Sequence, residues 1–205
     1  MSSKLVAPHG GKGLVCALLE GGEREVELKK AKGLKQVEIS PRAKGDLIMM
    51  GIGGFSPLSG FMSKADWKGV CEKFQLADGT FWPVPITLDV SKADADAIKV
   101  GDEIALVREG ETYATMKVTE KYEMTEADKK WECEKVFKGH GEESADDKFW
   151  EIAPKDHPGV IMVFAQGEFN LAGPVKVLSE GEYPKEYPGI YLRPAQVRAI
   201  FDERG

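Results

Sequence analysis

The 205-residue sequence has few cysteines, no long apolar run and no excess of positive charge. Its three cysteines, Cys16, Cys71 and Cys133, are odd in number and too far apart for a disulfide framework or a CxxC metal motif. The longest uncharged run, between Asp46 and Lys64, is interrupted by glycines and a proline, which excludes a membrane span. With 28 basic against 34 acidic residues the net charge is −6, so a nucleic-acid-binding protein is disfavoured.

The beginning of the sequence also lacks a targeting signal. Met-Ser-Ser-Lys is not followed by the apolar stretch that a secretory signal requires. Unpaired cysteines are typical of a reducing compartment. We therefore predict a cytoplasmic protein that binds neither a membrane nor a nucleic acid.

Glycine and proline, by contrast, are abundant, with 23 and 11 residues, so turns and irregular loops should be frequent. At 42% hydrophobic and 30% charged residues, the composition is that of a folded globular protein. A length of 205 residues suits one large domain, or one domain and part of another.

Short apolar or alternating runs are the commonest pattern, and they predict strands. They lie at 14–19, 84–90, 104–107, 112–118, 160–165 and 175–178. The run at 160–165 is continuously apolar, which is typical of a central strand. Many short strands and few helices predict an α+β, mostly β fold, in which a closed or pseudo-barrel sheet carries a few peripheral helices.

Four helices are predicted from their first turns. A hydroxyl residue with an aspartate three positions later forms a capping box at Ser63, Ser91 and Thr125. The helix at Ser63 would turn four apolar residues inward: Trp67, Val70, Cys71 and Phe74. The helix at Ser91 should end near Gly101. The fourth helix has Pro194 in its first turn and would turn three residues inward: Val197, Ile200 and Phe201.

The glycine-rich stretch Gly51–Gly60 is the obvious candidate for a phosphate-binding loop. It lacks the Gly-Lys-Ser/Thr end of a P-loop, and Ser56 stands where the dinucleotide fingerprint requires glycine. We therefore interpret these glycines as residues that permit tight turns between a strand and the helix at Ser63.

Two further motifs contain residues that often carry chemistry. Asp78–Pro85, with the sequence DGTFWPVP, joins a turn to aromatic and proline residues, but no basic residue lies among them, so packing at a core or sheet edge is favoured. Asp156 and His157 would form an acid–imidazole pair for general base catalysis. Since no nucleophile motif lies beside them, a turn is the better interpretation.

No metal site is predicted, because His9 and His140 have no other ligand residue at metal-binding spacing. Three arginines cluster late in the sequence: Arg193, Arg198 and Arg204. A solvated helix face is their default interpretation, and an anion site is the alternative.

Five segments coincide, in order, with the motifs of one family. They are GFSPLSGFM at 54–62, DGTFWPVPITLDV at 78–90, HPGV at 157–160, AGPV at 172–175 and PAQVRAIF at 194–201. They resemble the N-terminal part of ATP sulfurylase (sulfate adenylyltransferase), and the resemblance runs from near residue 1 to Gly205. The two longest motifs are specific.

The resemblance implies a PUA-like domain at 1–179 and, at 180–205, the lead-in to a nucleotidyltransferase domain that binds sulfate and Mg-ATP. In that family a sulfate oxygen attacks the α-phosphorus of ATP, giving adenosine 5'-phosphosulfate and pyrophosphate, or the reaction runs in reverse. The family's catalytic signatures, Gln-x-Arg-Asn and His-x-Gly-His, come beyond the position that matches Gly205. We therefore expect no catalytic, cofactor-binding or metal-binding residue in this chain, and no activity from it alone.

Two short motifs look like these signatures but depart from them. Gln196-Val-Arg198-Ala199 has alanine where the amide belongs, and His157-Pro-Gly159-Val160 has valine in place of the second histidine. Neither is carried over as a site. Arg193 stands where the family usually has a threonine N-cap, and loss of such a cap typically costs about 1 kcal/mol. The stretch 138–150 looks like an insertion.

The expected role of the chain is to pack against and support the catalytic domain of the same protein, in a parent enzyme that is a homo-oligomer. Two alternatives stay open. PUA-like domains elsewhere bind RNA, although the net charge of −6 argues against it. The charged stretch His140–Lys148, interpreted as a solvated loop, would be the contact surface of a protein-interaction module.

Overall fold

The computed structural model describes residues 5–138 and 157–204, which divide into two compact units. The described part of unit 1 comprises 5–61, Val100–Thr119 and 173–204. The described part of unit 2 comprises Met62–Lys99, 120–138 and 157–172. No helix among these residues has the length and apolar content needed to cross a membrane.

Helices and strands follow one another without a regular βαβ order. In chain order they are α1 Gly21–Ala31, β1 Lys35–Glu38, α2 Pro41–Gly51, β2 Gly60–Phe61, α3 Lys64–Lys73, β3 Leu88–Val90, α4 Lys92–Ala97, β4 Glu103–Arg108, β5 Glu111–Lys117, β6 Glu120–Glu123, α5 Glu126–Lys138, α6 Pro158–Ala165, β7 Phe169–Val177, α7 Tyr183–Glu186 and α8 Pro194–Arg204. The sheet carries helices around it, so the predicted α+β class is confirmed.

The sheet of unit 1 has the strand order β1-β4-β5-β7-β2, in which β7 contributes its second half. Strand β1 lies parallel to β4, and the other neighbours are antiparallel. Strand β4 is buried on both faces from Ile104 to Val107, as its continuous apolar run predicts. The strands predicted at 104–107, 112–118 and 175–178 are confirmed.

In unit 2 the first half of β7 pairs antiparallel with both β3 and β6. Leu171, at the centre of these pairs, lies opposite Leu88 on one side and Lys121 on the other. A core cluster forms from α3 and the strands: Trp67, Cys71, Tyr122, Met124 and Ala172. Helix α5 adds Trp131 and Val136 to it.

The three predicted N-caps are confirmed, and at Thr125 the capping box is complete because Asp128 also accepts from the Thr125 N–H. The hydroxyls of Ser63, Ser91 and Thr125 each accept a hydrogen bond, at 3.1 Å, from the backbone N–H three residues later. Each satisfies one of the N–H groups that a helix leaves unpaired in its first turn. The helices follow as expected, although α4 ends at Ala97 and not near Gly101.

The run at 160–165 is helix α6, so the prediction of a central strand is wrong. Val160 and Val163 are buried, whereas Ile161 and Met162 are half exposed. That spacing of three is helical. Apolar residues at every position leave no period by which a strand and a helix can be distinguished, and a proline in the first turn favours the helix.

Three other predictions of strands need correction. Residues 14–19 form only an isolated bridge, from Leu18 to Val177, and 84–90 is a strand only from Leu88. The element before the glycine-rich loop is helix α2 and not a strand. Helices α1 and α2 were not predicted, because charged residues and glycines interrupt their apolar pattern.

Candidate functional site

The most organised group of charged side chains on unit 1 surrounds Arg193. Its guanidinium donates to both carboxylate oxygens of Glu180, with Nε 2.8 Å from Oε1, and Nη1 donates to Glu20 Oε1 at 2.7 Å. Tyr191 donates its hydroxyl to Glu180 Oε1 at 3.0 Å. The two-pronged pairing of guanidinium with carboxylate fixes the orientation of both groups. We call these four residues the Arg193 cluster.

Two local features of the backbone position this cluster. After β7 the chain turns at Gly181, which has a φ of +67° and donates its N–H to Ser179 Oγ at 2.9 Å. Arg193 precedes the first residue of α8 and donates its own N–H to Gln196 Oε1 at 2.8 Å. This is one half of a capping box, so the helix keeps part of the cap that a threonine at 193 would complete.

The cluster holds its members in charged or hydrogen-bonding forms. Burial raises the pKa of Glu180, but hydrogen bonds from Arg193 and Tyr191 outweigh it, and the net pKa lies below the ordinary value. Burial and the hydrogen bond to Glu180 raise the pKa of Tyr191 to about 12. The hydrogen bond to Glu180 raises the pKa of Arg193. The cluster is therefore an ion pair at neutral pH and offers no group for proton transfer.

A cleft of about 380 Å³ opens beside the cluster. Six charged residues line it, three acidic and three basic: Glu20, Glu111, Glu180, Arg24, Lys185 and Arg193. Arg24 is held in place by a hydrogen bond from its Nε to the Leu178 carbonyl, at 2.6 Å. Because the charges balance, the cleft has no net charge with which to select an anion such as sulfate or a nucleotide phosphate.

The glycine-rich stretch Gly51–Gly60 packs closely against neighbouring chain segments of unit 1. A Cβ at Gly53 would lie 2.8 Å from the Cys16 sulfur, and one at Gly60 would lie 1.9 Å from the Gly173 carbonyl oxygen. These positions require glycine for close approach and turning, as the sequence interpretation proposed.

The Asp78–Pro85 motif forms a tight turn and a packing element. Asp78 Oδ1 accepts from the N–H of Thr80 at 3.0 Å, and Gly79 has a φ of +85°. Trp82 is buried, whereas Phe81 is exposed. The motif is used for packing within unit 2, in agreement with the sequence interpretation.

His157 caps helix α6. Its Nδ1 accepts from the N–H of Gly159 at 3.1 Å, and its ring centroid lies 4.6 Å from that of Phe137. Pro158 and Gly159 are the first residues of α6, so the described part of the predicted turn is a helix start. Asp156, His140 and the charged stretch 140–148 lie outside the described residues.

The three late arginines lie in separate surroundings. Arg193 belongs to its cluster, Arg198 donates from Nη2 to the Val6 carbonyl at 2.8 Å, and Arg204 is exposed at the end of α8. Gln196, the first residue of the apparent Gln-x-Arg signature, accepts from the Arg193 backbone. Arg193, Arg198 and Gln196 make local contacts, and the three arginines do not converge on one site.

Two buried carboxylates of unit 1 were not anticipated. Glu27, on α1, accepts from Thr115 Oγ1 at 2.7 Å, from Lys176 Nζ at 3.0 Å and from Lys30 Nζ at 3.3 Å. Burial raises the pKa of Glu27, and these three hydrogen bonds bring it below the ordinary value. Burial raises the pKa of Asp46, on α2, to about 6. Two of the three partners of Glu27, Thr115 and Lys176, are distant in the chain, so its burial is not indicated by the sequence around it.

Residues 5–138 and 157–204 contain no group of three or more His, Cys, Asp or Glu side chains placed to hold a metal ion. The three cysteines are free thiols. Burial raises the pKa of Cys71, and it raises that of Cys133 to about 12, so neither is a reactive thiolate at neutral pH.

Residues 6–180 match a family model described as a PUA-like domain. Since the match extends over most of the sequence, the chain belongs to the PUA-like domain family.

Two long relatives are similar to nearly the whole chain. A sulfate adenylyltransferase from Desulfovibrio desulfuricans is 73% identical over 203 residues, which are 99% of this chain and 48% of the relative. One from Desulfatibacillum aliphaticivorans is 72% identical over 205 residues, with the same two shares. The resemblance to this family is confirmed, and the chain spans about half the length of these curated relatives.

A solved structure gives a matching fold. The hexameric APS kinase from Thiobacillus denitrificans superimposes with a TM-score of 0.68 at 25% sequence identity. The match covers 98% of this chain and 32% of that one. The chain again corresponds to one part of a longer protein, and that solved structure is hexameric.

Proposed function

We propose that the chain is the N-terminal, PUA-like part of a sulfate adenylyltransferase, which joins sulfate to ATP to give adenosine 5'-phosphosulfate and pyrophosphate, or runs in reverse. The observation that carries the proposal is the identity of 73% over 99% of the chain to an enzyme of that name. Within this enzyme the chain has a supporting role and is inactive alone.

The described residues support the proposal that this chain and the rest of the enzyme have different roles. Holding sulfate and the ATP phosphates requires several cations or donors directed at one point. Three lysines of unit 1 are instead engaged in ion pairs within the chain: Lys30 with Glu103, Lys44 with Glu182, and Lys176 with Glu27. We therefore propose that Mg-ATP and sulfate bind to the half of the relatives that this chain does not cover.

The same proposal includes a cytoplasmic location and a homo-oligomeric parent enzyme that acts in sulfur metabolism. Free thiols at Cys16, Cys71 and Cys133 support the reducing compartment. The hexameric structural neighbour supports an oligomer. The boundary between the PUA-like domain at 1–179 and the lead-in at 180–205 stays a prediction.

Turnover by the chain and by the full-length protein tests this proposal. Purified chain and full-length protein are each given adenosine 5'-phosphosulfate and pyrophosphate, and ATP formation is followed by luciferase. We expect turnover from the full-length protein only. ATP formation by the chain above a heat-denatured control would refute its inactivity, and no turnover by the full-length protein would refute the enzyme assignment.

An RNA-binding function is the less favoured candidate. The net charge of the chain, −6, argues against RNA binding. A gel shift with tRNA at low and moderate salt would detect such binding. A saturable complex that weakens with salt would replace the enzyme-support proposal with RNA binding.

A further inference from the structure

A second cleft of unit 1 lies beside helix α1, and we call it the α1 cleft. Its volume is about 510 Å³, and its lining is mainly apolar. Mainly apolar clefts of roughly 300–1,000 Å³ with a few placed polar groups are typical of small-molecule sites. The side chains that line the α1 cleft are Leu19, Glu23, Val26, Glu27 and Lys176. Its polar groups therefore indicate which class of ligand it suits.

Glu27 places a fixed negative charge in the wall of the α1 cleft. Its side chain is only 8% exposed. Burial opposes its ionisation, but hydrogen bonds outweigh burial and hold its pKa below the ordinary value. Thr115 and Lys30 donate to Oε1, and Lys176 donates to Oε2. Since an ionised carboxylate offers about four acceptor positions, Oε2 keeps one for a further donor.

Glu23 adds a second carboxylate, one helical turn before Glu27 on the same face of α1. It is exposed and forms no hydrogen bond or ion pair with another residue in the part of the chain that the structure describes. Lys176 is already paired with Glu27. The three ionised groups of the cleft, Glu23, Glu27 and Lys176, therefore sum to a charge of −1, which attracts a cation and repels an anion.

Val26 gives the cleft an apolar wall. It lies between two glutamates on a helix whose other exposed side chains are charged, and it is 67% exposed. A single exposed valine is ordinary on a protein surface. Val26 differs because it lines a cleft together with the partly buried Leu19. The two side chains offer apolar surface to the body of a ligand whose charge lies at the carboxylates.

We propose that the α1 cleft binds a small organic cation, with a primary ammonium group on an apolar body. The ammonium donates to the carboxylates of Glu23 and Glu27, and the apolar body lies against Leu19 and Val26. An ammonium has three donors and no acceptor, so it suits two neighbouring carboxylates. The inference does not depend on the proposed function, because every lining residue belongs to unit 1 of this chain.

Titration with phenethylammonium tests the proposal. Saturation-transfer NMR follows the binding to the 205-residue chain and to the full-length protein, and we expect saturable binding with a Kd of about 1 mM, as suits a probe of this size. Two comparison molecules each lack one feature: 2-phenylethanol has no charge, and ethylammonium has no ring. Each should bind at least about tenfold more weakly. Absence of saturable binding, or equal binding of either comparison molecule, would overturn the proposal.

Glu23→Gln tests the role of the unpaired charge. It should weaken phenethylammonium binding about five- to tenfold at low salt, because the charge that selects a cation is lost. The matched control is Glu25→Gln, the same change at an exposed position of α1 that does not line the cleft. It should leave the Kd unchanged, and neither exposed substitution should alter the thermal midpoint. Equal weakening by both variants would mean that net charge acts from a distance, which contradicts a site at Glu23.

Val26→Thr tests the apolar wall. The substitution keeps the size of the side chain but presents a hydroxyl to the ligand, and it should weaken binding about threefold. Val100→Thr is the matched control, at a 60% exposed valine of unit 1 that does not line the cleft, and it should have no effect. Unchanged binding by Val26→Thr would remove the wall from the proposal and refute an amphipathic ligand.

The place of binding is measured by amide chemical shifts of the 205-residue chain. Phenethylammonium should shift the amides at 22–27 and that of Lys176, and saturable shifts confined to other residues would refute the α1 cleft as the site. Binding by the chain but not by the full-length protein would mean that the rest of that protein covers the cleft, which also overturns the proposal. None of these results bears on the enzyme assignment, which turnover decides.

Discussion

Helices α3 and α8 have nearly the same length, 10 and 11 residues, and both were expected to pack an apolar face inward. Helix α3 buries Trp67, Val70 and Cys71. Helix α8 has no buried residue: Val197 and Ile200 are partly buried, and Phe201 is exposed. The prediction that Phe201 packs inward is therefore wrong for this chain. A helical apolar pattern predicts that a face will be covered, but it does not tell which part of a protein covers it.

The two helices are consequently held by different forces. In unit 2, Trp67 donates its Nε1–H to Glu132 at 2.7 Å, and its ring centroid lies 5.1 Å from that of Trp131. In unit 1, α8 depends on the Arg193 cluster and on the Gln196 half-cap. Burial should dominate the stability of α3, and charge and capping that of α8.

Among the substitutions that test this difference between α3 and α8, Trp67→Ala is expected to have the largest effect. Removing a side chain that is only 2% exposed leaves a cavity in unit 2, and we expect the free energy of unfolding to fall by about 3–5 kcal/mol. Urea unfolding of the 205-residue chain, followed by circular dichroism, measures the change. Phe201→Ala in α8 is the matched control and should change it by less than about 0.5 kcal/mol. Equal effects would remove the contrast between the helices.

The next effect is expected from Arg193→Ala. The ion pair with Glu180 is partly buried, so its loss should lower the local stability of α8 by about 1–2 kcal/mol, between the values for exposed and for buried pairs. Hydrogen exchange of the α8 amides measures it, and the α3 amides serve as the internal reference. Arg193→Thr restores a hydroxyl cap and should recover about 1 kcal/mol. If alanine and threonine behave alike, the cap contributes nothing.

Smaller effects are expected from the substitutions that remove the caps of α3 and α8. Ser63 Oγ accepts from the Asp66 N–H, and Ser63→Ala should destabilise α3 by about 1 kcal/mol. Gln196 Oε1 accepts at an exposed helix start, and Gln196→Ala should cost α8 no more than about 0.5 kcal/mol. Helix-specific hydrogen exchange distinguishes the two, and a larger loss in α8 would show that its cap outweighs that of α3.

The smallest effect is expected from acid. The pKa of Glu180 lies below its ordinary value of 4.5, so its pairing stabilises the folded state above that pH and is lost as the pH falls through the folded-state pKa. Amide protection in α8 should therefore fall by less than about tenfold between about pH 6 and pH 3, while protection in α3 holds. Glu180→Gln should abolish this pH dependence. A fall of the same size in both helices would indicate global acid unfolding instead.

Asp46 also makes the stability depend on pH, so the effect of Glu180 has to be measured locally, at the α8 amides. Burial raises its pKa from 3.8 to about 6, so its contribution to stability falls as the pH rises through that interval. This slope is opposite to that of Glu180, and a global unfolding curve would add the two. Asp46→Asn should remove the opposing slope from the global curve.

Interactions between residues close together in the sequence were predicted, whereas interactions between distant residues were not. The caps at Ser63, Ser91 and Thr125 involve residues three positions apart, and all three were predicted. The strand predicted at 160–165 was wrong because an unbroken apolar run carries no period. The pairing of Glu20 with Arg193 joins positions 173 residues apart, and nothing local indicates it.

The sequence by itself determined the family, the α+β class and the starts of four helices, α3, α4, α5 and α8, because ordered motifs and capping spacings are local properties of the chain. Only the tertiary structure decided which helical faces are covered, that Arg193 is engaged by two carboxylates, and that Phe201 is exposed. Burial and long-range ion pairs depend on segments that meet only when the chain folds, and their free energies are therefore not encoded at any single position.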